Sequence, residues 1–204
     1  MRLWTIQTID AFNAFKDTGM LTANKQFISK DFLPAYNWMF EQMKKRIGLP
    51  PNNQINYPIW AWYQWNGDKA RKPDLRYSAH LPKGSKGVCI EVDVPDSKVL
   101  LSDFDLFHYV LNYWYLPKSE DEDIFFDREI ANSGLTIHDL QDFSKESEVI
   151  NKLRNEVKES WERIFDLNWF DEYVTYPIEE KSIQATLYHI QWNQVKDYRE
   201  FTAR

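Results

Sequence analysis

The chain has 204 residues, a single cysteine, a formal net charge of −6 and an aromatic fraction of 16%. This length suits one domain that buries roughly 70% of its unfolded surface, and a lone cysteine excludes an internal disulfide. The negative charge disfavours generic nucleic-acid binding, and no segment has the ~18 apolar residues of a membrane span or the core of a signal peptide. We therefore expect one cytoplasmic domain over residues 1–204.

The first half of the chain alternates predicted strands and helices. Apolar and aromatic runs predict strands, whereas apolar residues at steps of three and four, bounded by caps, Gly or Pro, predict helices. In chain order the predicted elements are a strand at Leu3–Ile6, a helix capped by Thr8 and ended by Gly19, an extended return at Leu21–Thr22, a helix from near Asp31 to Gly48, a strand at Ile59–Trp65, a turn at Asn66–Asp68, a loop over Asp68–Gly87 and a strand at Val88–Val94.

The second half is richer in predicted helix. Its elements are an extended segment at Val99–Leu101, a helix opened by Ser102 and ended by Pro117, an exposed, mobile acidic segment near 118–133 with a weak helix at Phe125–Asn132, a helical turn at Ile137–Phe143 capped by Thr136, an amphipathic helix at Lys145–Leu167, a strand at Ile183–Ile190 and a terminal strand or turn at Val195–Phe201. Together the elements predict an α+β fold with small mixed or antiparallel sheets and packed helices.

The aromatic segment Pro58–Trp65 is the strongest candidate for the floor of a ligand site. On a strand, Trp60, Trp62 and Gln64 share one face, while Ile59, Ala61, Tyr63 and Trp65 share the other. Two Trp rings beside an amide can stack a planar ligand ring and bind its edge. The alternative is a broad core face that packs on a helix, and the sequence leaves both open.

The loop after this strand reverses the sign of the chain's charge. Residues 68–87 carry six cationic and two anionic side chains, a local net charge of +4. Such a loop beside aromatic rings suits an anionic ligand such as a phosphate, a pyrophosphate or a nucleic-acid backbone. Arg76 and Arg71 are the candidate anion-binding residues, because Arg can hold phosphate in bidentate fashion. A solvated loop that balances the acidic run at 119–123 is the alternative.

The other reactive side chains give weaker signals. Asp103 and Asp105 start a predicted helix, where they act either as caps or as a carboxylate pair for acid–base chemistry or a cation. Cys89 lies in an apolar run, which favours a buried, inert thiol. The four His are scattered, so we expect no metal site.

Several motifs, in order along the chain, resemble those of a bacterial family, the domain-of-unknown-function family 3841. They are LWTIQ, YPIWAWYQW, RKPDLR, LLSDFDLFHYVLNYWYLP, ESWERIFDL and IQATLYHI followed by REFTAR. The resemblance covers nearly the whole chain. It implies a stand-alone bacterial or phage-borne domain and no particular activity.

The opening strand, the helix and the segment Gly19-Met20-Leu21 also resemble the start of the ADP-ribosyltransferase superfamily. In that superfamily the first strand carries an Arg or His that holds NAD, an aromatic or hydroxyl-bearing strand follows, and a late strand begins with a catalytic Glu. The resemblance implies corresponding roles for Thr5, Tyr63 and Gln184. Two of these residues depart from the pattern. Thr5 is neither Arg nor His, and the amide of Gln184 cannot supply the negative charge of the Glu.

Three functions remain open from the sequence. The first is an ADP-ribosyltransferase-like pocket that binds NAD or a related nucleotide, with Trp60 or Trp62 stacking a ring, and that transfers ADP-ribose if it is an enzyme. The second is a non-catalytic module that binds nucleic acid or protein in a bacterial defence or toxin setting. The third is a hydrolase that uses Asp103, Asp105 and Glu91 around Mg²⁺.

Overall fold

The computed structural model describes residues 1–204, which form two compact units. Unit 1 comprises Met1–Leu101 and Ile183–Arg204, and unit 2 comprises Ser102–Ser182. Six α-helices accompany a six-stranded sheet and a two-stranded sheet, so the predicted α+β class is confirmed. None of the helices is long and apolar enough to cross a lipid bilayer.

Unit 1 is built around the six-stranded sheet. Its elements are β1 (Arg2–Thr8), α1 (Ile9–Thr18), β2 (Met20–Leu21), α2 (Leu33–Ile47), β3 (Ile59–Gln64), β4 (Lys86–Asp93), β5 (Leu100–Asp103, which continues into unit 2), β6 (Ile183–Leu187), β7 (Ile190–Gln191) and β8 (Val195–Thr202). The strand order is β5-β6-β3-β1-β4-β8, and β2 pairs with β7 in the small sheet. The predicted terminal strand is confirmed as β8, whereas the predicted strand at Ile183–Ile190 is divided into β6 and β7.

The two faces of this sheet are covered by different helices. Phe12 and Phe15 of α1 belong to the main apolar cluster, together with Leu3, Ala61 and Ile90 from three neighbouring strands. A Thr8 cap and Gly19, whose φ of 75° suits glycine, bound α1 as predicted.

Helix α2 covers the other face at its aromatic positions. The ring of Tyr36 lies edge-on to Trp60 with centroids 5.6 Å apart, and Phe40 meets Tyr188 at 5.4 Å. Trp60 is therefore part of a packed interface as well as a residue of the aromatic strand.

Unit 2 consists of four helices and a 3₁₀ segment. They are α3 (Phe104–Leu111), α4 (Glu120–Asn132), α5 (Ile137–Gln141), α6 (Glu148–Ser160) and the 3₁₀ segment Trp161–Phe165. The acidic run is the first turn of α4, so this helix begins five residues before its predicted start. Ser119 caps it, and carboxylates in the first turn are stabilised by the helix dipole.

A buried arginine ties α6 to the segment before it. Arg154 is 7% exposed, and its guanidinium donates to the carbonyl oxygens of Leu140, Asp142 and Lys145 at 2.7–3.0 Å. Because each nitrogen has an acceptor, the buried cation is satisfied without a carboxylate partner. The hydrophobic pattern of α6 predicts an amphipathic helix but gives no signal for this role of Arg154.

A fully buried ion pair fixes the start of α3. Asp103, and not Ser102, is the N-cap: its Oδ1 accepts from the backbone of Asp105 and Leu106 at 3.0 and 3.1 Å. Its Oδ2 lies 3.2 Å from Lys181 Nζ and accepts from Thr175 Oγ1 at 3.0 Å. The capping interpretation of Asp103 is confirmed, and its remaining oxygen is occupied by a lysine that is 1% exposed.

Replacing Lys181 by Met tests this pair. We expect a loss of about 3 to 5 kcal/mol in the free energy of unfolding, because the Asp103 carboxylate stays buried without its cation. Urea unfolding followed by circular dichroism measures the change. The exposed Lys118→Met is the matched control, with an expected effect below about 0.5 kcal/mol. Adding Asp103→Asn to Lys181→Met should restore part of the loss, and equal effects of Lys181→Met and Lys118→Met would contradict the argument.

Candidate functional site

One row of side chains crosses four strands on the α2 face of the sheet. Trp62 in β3 is paired with Gln184 in β6 and with Trp4 in β1, and Trp4 is paired with Glu91 in β4. Directly paired residues on antiparallel strands point to the same face. Gln184 and Trp62, which are far apart in the chain, are therefore side by side in the sheet.

The far end of this row holds a buried carboxylate. Glu91 is 7% exposed, and its Oε2 accepts from the indole of Trp4 at 3.0 Å. Its Oε1 accepts from Arg2 Nε at 2.6 Å. Glu91 thus positions Trp4, and through the row it supports Trp62.

Trp62 of the row and three rings beside it form what we term the aromatic cluster: Trp62, Trp65, Tyr77 and His80. Trp65 contacts each of the other three, with centroid distances of 4.5, 5.1 and 4.8 Å. Tyr77 is 50% exposed, so part of its ring is available to a ligand. Tyr77 and His80 belong to the predicted loop Asp68–Gly87, and they fold back onto Trp65 at the end of the aromatic strand. The sequence carries no signal for that packing.

His80 presents a defined hydrogen-bonding face in this cluster. Its Nε2 lies 3.0 Å from the carbonyl oxygen of Asp74. A carbonyl oxygen only accepts, so Nε2 carries the proton and Nδ1 is an acceptor. Burial lowers the pKa of His80, although the bond to Asp74 opposes the shift, so the ring is neutral at pH 7.

Arg76 is the exposed cation of the turn that carries Tyr77. Its guanidinium bonds both carboxylate oxygens of Asp74 at 2.6–3.0 Å, and the Tyr77 backbone closes the turn by donating to the Asp74 carbonyl. The hydrogen bonds from Arg76 lower the pKa of Asp74. Because Arg76 is 74% exposed, water weakens this pair, and a stronger anion can compete with it.

Arg71 packs against the aromatic strand and supports the loop that follows it. Its guanidinium stacks on the ring of Tyr63 at 4.2 Å, and its Nε donates to the Tyr63 carbonyl at 3.2 Å. The backbone of Trp65 donates to the Arg71 carbonyl at 3.0 Å. Arg71 thus closes the turn after β3.

A β-bulge changes the predicted faces of the aromatic strand. Trp60 and Trp62 share a face as predicted, but the register shifts between Trp62 and Gln64, where Gln64 pairs with Ile183. Ile183 precedes Gln184 on the same strand, so the two point to opposite faces. Gln64 is therefore turned away from the two Trp rings and is 5% exposed, which corrects its predicted place beside them.

Thr5 and Gln184, which the superfamily resemblance brings together, lie on opposite faces of the sheet. Thr5 follows Trp4, whose side chain shares the face of Gln184, and successive strand residues alternate. Thr5 is fully buried; its hydroxyl donates to the Trp60 carbonyl at 2.8 Å and accepts from Gln7 at 2.8 Å. Tyr63 packs against the main core cluster, also away from Gln184.

The carboxylates of the hydrolase alternative do not form a metal site. No group of three or more His, Cys, Asp or Glu side chains is arranged to hold a metal ion. Glu91 is bonded to Arg2 and Trp4, Asp103 is bonded to Lys181 and Thr175, and burial raises the pKa of Asp105.

These observations define an α+β protein with a sheet-borne aromatic site and a basic loop beside it. The family model of the domain of unknown function DUF3841 matches residues 2–196, so the chain belongs to that family. No curated protein and no solved structure shows significant similarity to the chain.

Thr5→Val tests whether Thr5 supports the sheet. The change leaves the Trp60 carbonyl and the Gln7 amide without their partner, so we expect a loss of about 1 to 3 kcal/mol in the free energy of unfolding. Chemical denaturation measures it, with the exposed Thr202→Val in β8 as the matched control. An unchanged unfolding midpoint would contradict a structural role for the hydroxyl.

Cys89 gives a second prediction. It is 2% exposed, and burial raises the pKa of its thiol to about 11. We expect the native protein to resist iodoacetamide at pH 8 and the unfolded protein in guanidinium to react at the rate of free cysteine, because the thiolate is the nucleophile. Mass spectrometry measures the modified fraction, and rapid labelling of the folded chain would rule out an enclosed thiol.

Proposed function

We propose that this chain binds a nucleotide at the aromatic cluster, with NAD as the first candidate. The pairing of Gln184 with Trp62 carries the proposal, because it sets a hydrogen-bonding amide beside the aromatic cluster. Thr5 and Tyr63, the other two residues of the superfamily resemblance, lie on the opposite face of the sheet and take no part in the proposed site.

The base would stack on the half-exposed ring of Tyr77, which Trp65 supports edge-on at 5.1 Å. Stacking on one aromatic side chain is worth about 1 to 3 kcal/mol per base. His80 Nδ1 is an acceptor that suits an exocyclic amine or a ribose hydroxyl. The cluster therefore offers both a stacking surface and a polar edge.

The phosphates would be held by Arg76. It is one residue from Tyr77, in the same turn, and its exposed partner Asp74 can be exchanged for a phosphate. The loop's local net charge of +4 raises the concentration of anions near this turn. Arg71 and Tyr63 would support the turn from below without contacting the ligand.

The proposal is for binding, and transfer of ADP-ribose does not follow from these residues. Stabilising an oxocarbenium-like centre needs a nearby negative charge. Gln184 is neutral, and Glu91 is separated from it by Trp62 and Trp4 in the row. A polyanion such as single-stranded nucleic acid is the competing ligand for the same basic loop.

Calorimetric titration with NAD tests the proposal. We expect saturable binding at millimolar NAD or below, weakened at least about fivefold by Tyr77→Ala and about tenfold by Arg76→Ala. ADP-ribose should retain most of the affinity and nicotinamide little, because the phosphates and the base carry the contacts.

Two exposed residues of unit 2 provide matched controls: Tyr176→Ala for the ring and Arg128→Ala for the charge. Neither should change the Kd. The proposal fails if NAD does not bind, or if Tyr77→Ala and Arg76→Ala bind it as the parent does. A single-stranded oligonucleotide that binds more tightly than NAD and loses affinity steeply with salt would favour the nucleic-acid alternative.

A further inference from the structure

Unit 1 also contains a concave site, which we term the His189 pocket. It has a volume of about 360 Å³ and is lined by Val94 and Lys98, which follow β4, and by Leu187 and His189 at the end of β6, among others. This volume is at the lower end of the range for small-molecule sites. His189 is five residues beyond Gln184, so the pocket lies at the other end of β6 from the aromatic cluster.

The walls of the pocket are held in place by hydrogen bonds. Tyr188 donates its hydroxyl to the carbonyl of Gly48 at 2.7 Å, which fixes the segment that carries Leu49. The backbone of Gln191 donates to the Gln194 side chain at 2.7 Å, and a 3₁₀ turn holds Lys98. A site that is already formed binds a ligand without the entropic cost of ordering its walls.

The electrostatics of the pocket favour an anion. Its lining contains the cation Lys98 and no carboxylate. Asp93 and Asp96, which precede Lys98, pair with the N-terminal ammonium of Met1 at 3.2 and 3.0 Å, and neither lines the pocket. Lys98 is therefore the charged side chain that lines this mostly apolar cavity.

His189 adds a polar group that the fold leaves unsatisfied. Its Nδ1 is buried and has no hydrogen-bond partner in the protein. Burial lowers the pKa of this ring, and the positive charge of Lys98 lowers it further. Because Nδ1 is enclosed by protein, Nε2 of the neutral imidazole is the ring nitrogen that would donate its N–H to an oxygen anion beside Lys98.

The remaining surface of the pocket is apolar. Leu187 and Val94 are buried at its base, while Leu49 is 79% exposed at its rim with Pro51 beside it. Covering an exposed leucine side chain is favourable, because it removes apolar surface from water. If each non-hydrogen atom takes about 30 Å³, the share of one water molecule in the liquid, the pocket accommodates roughly a dozen such atoms.

From these features we propose that the His189 pocket binds a small amphipathic carboxylate: an anionic head group between Lys98 and His189, and an apolar body of about six to ten carbons against Leu49, Val94 and Leu187. This site is separate from the proposed nucleotide site and does not depend on it.

Calorimetry and NMR titration with octanoate test the proposal on the full chain. Octanoate should bind saturably, while acetate, which lacks the apolar body, and 1-octanol, which lacks the charge, should bind at least about tenfold more weakly. Chemical-shift changes should concentrate on Leu49, Val94, Leu187 and His189.

Variants separate the head-group contact from general hydrophobic binding. Lys98→Gln should weaken octanoate about three- to tenfold without changing 1-octanol, whereas Lys196→Gln in β8, also an exposed lysine, should change neither. Leu49→Ser should weaken both ligands. Both Lys98 and Leu49 are exposed, so the variants are expected to fold, and thermal melting verifies it.

Equal affinity for octanoate and 1-octanol would overturn the proposal, as would unchanged octanoate binding by Lys98→Gln. Absence of saturation at millimolar octanoate would overturn it as well. Tyr77→Ala should leave octanoate binding intact, so failure here and failure of NAD binding at the aromatic cluster are distinguishable.

Discussion

The pairing of β1 at the centre of the sheet is the constraint on which the rest of unit 1 depends. This strand is paired with β4 along its whole length, from Arg2 opposite Asp93 to Thr8 opposite Gly87, but shares a single registered pair, Trp4 with Trp62, with β3. A shift of one residue would turn every side chain to the opposite face. That one pair therefore decides which residues of the aromatic strand lie with Glu91 and which lie in the core.

Beyond the Trp4–Trp62 pair, side-chain hydrogen bonds connect β1 to β3 in place of paired backbone groups. Thr5 and Gln7 bridge the space between β1 and β3 by a chain of hydrogen bonds that ends on the Trp60 carbonyl. Polar side chains in a strand usually indicate a solvated face, yet Thr5 is fully buried. A buried hydroxyl that completes its hydrogen bonds in this way stabilises the sheet as a backbone bond would.

How far the sequence predicts this molecule depends on the range of the interactions. Local signals were sufficient for the Thr8 cap, the Gly19 stop, the apolar strand around Ile90 and the amphipathic helix α6, because each depends on neighbours in the chain. They were insufficient for Gln64, whose face is set by a bulge against Ile183, and for Asp103, whose partner Lys181 is far away in the chain. Strand alternation alone assumes a regular ladder, which β3 does not have.

The same reasoning explains why the sequence indicates one of the two candidate sites more readily than the other. The aromatic cluster draws its rings from residues 62–80, a short stretch in which unusual composition is itself a signal. The His189 pocket draws on three separate stretches, near residues 49–51, 94–98 and 187–194, and none of them is unusual in composition. These stretches meet only in the folded unit, where the chain that follows β4 and the end of β6 line the same cavity. A lysine and an imidazole at the edge of an apolar cavity can bind an anion together, whereas the same groups on a flat surface would be solvated.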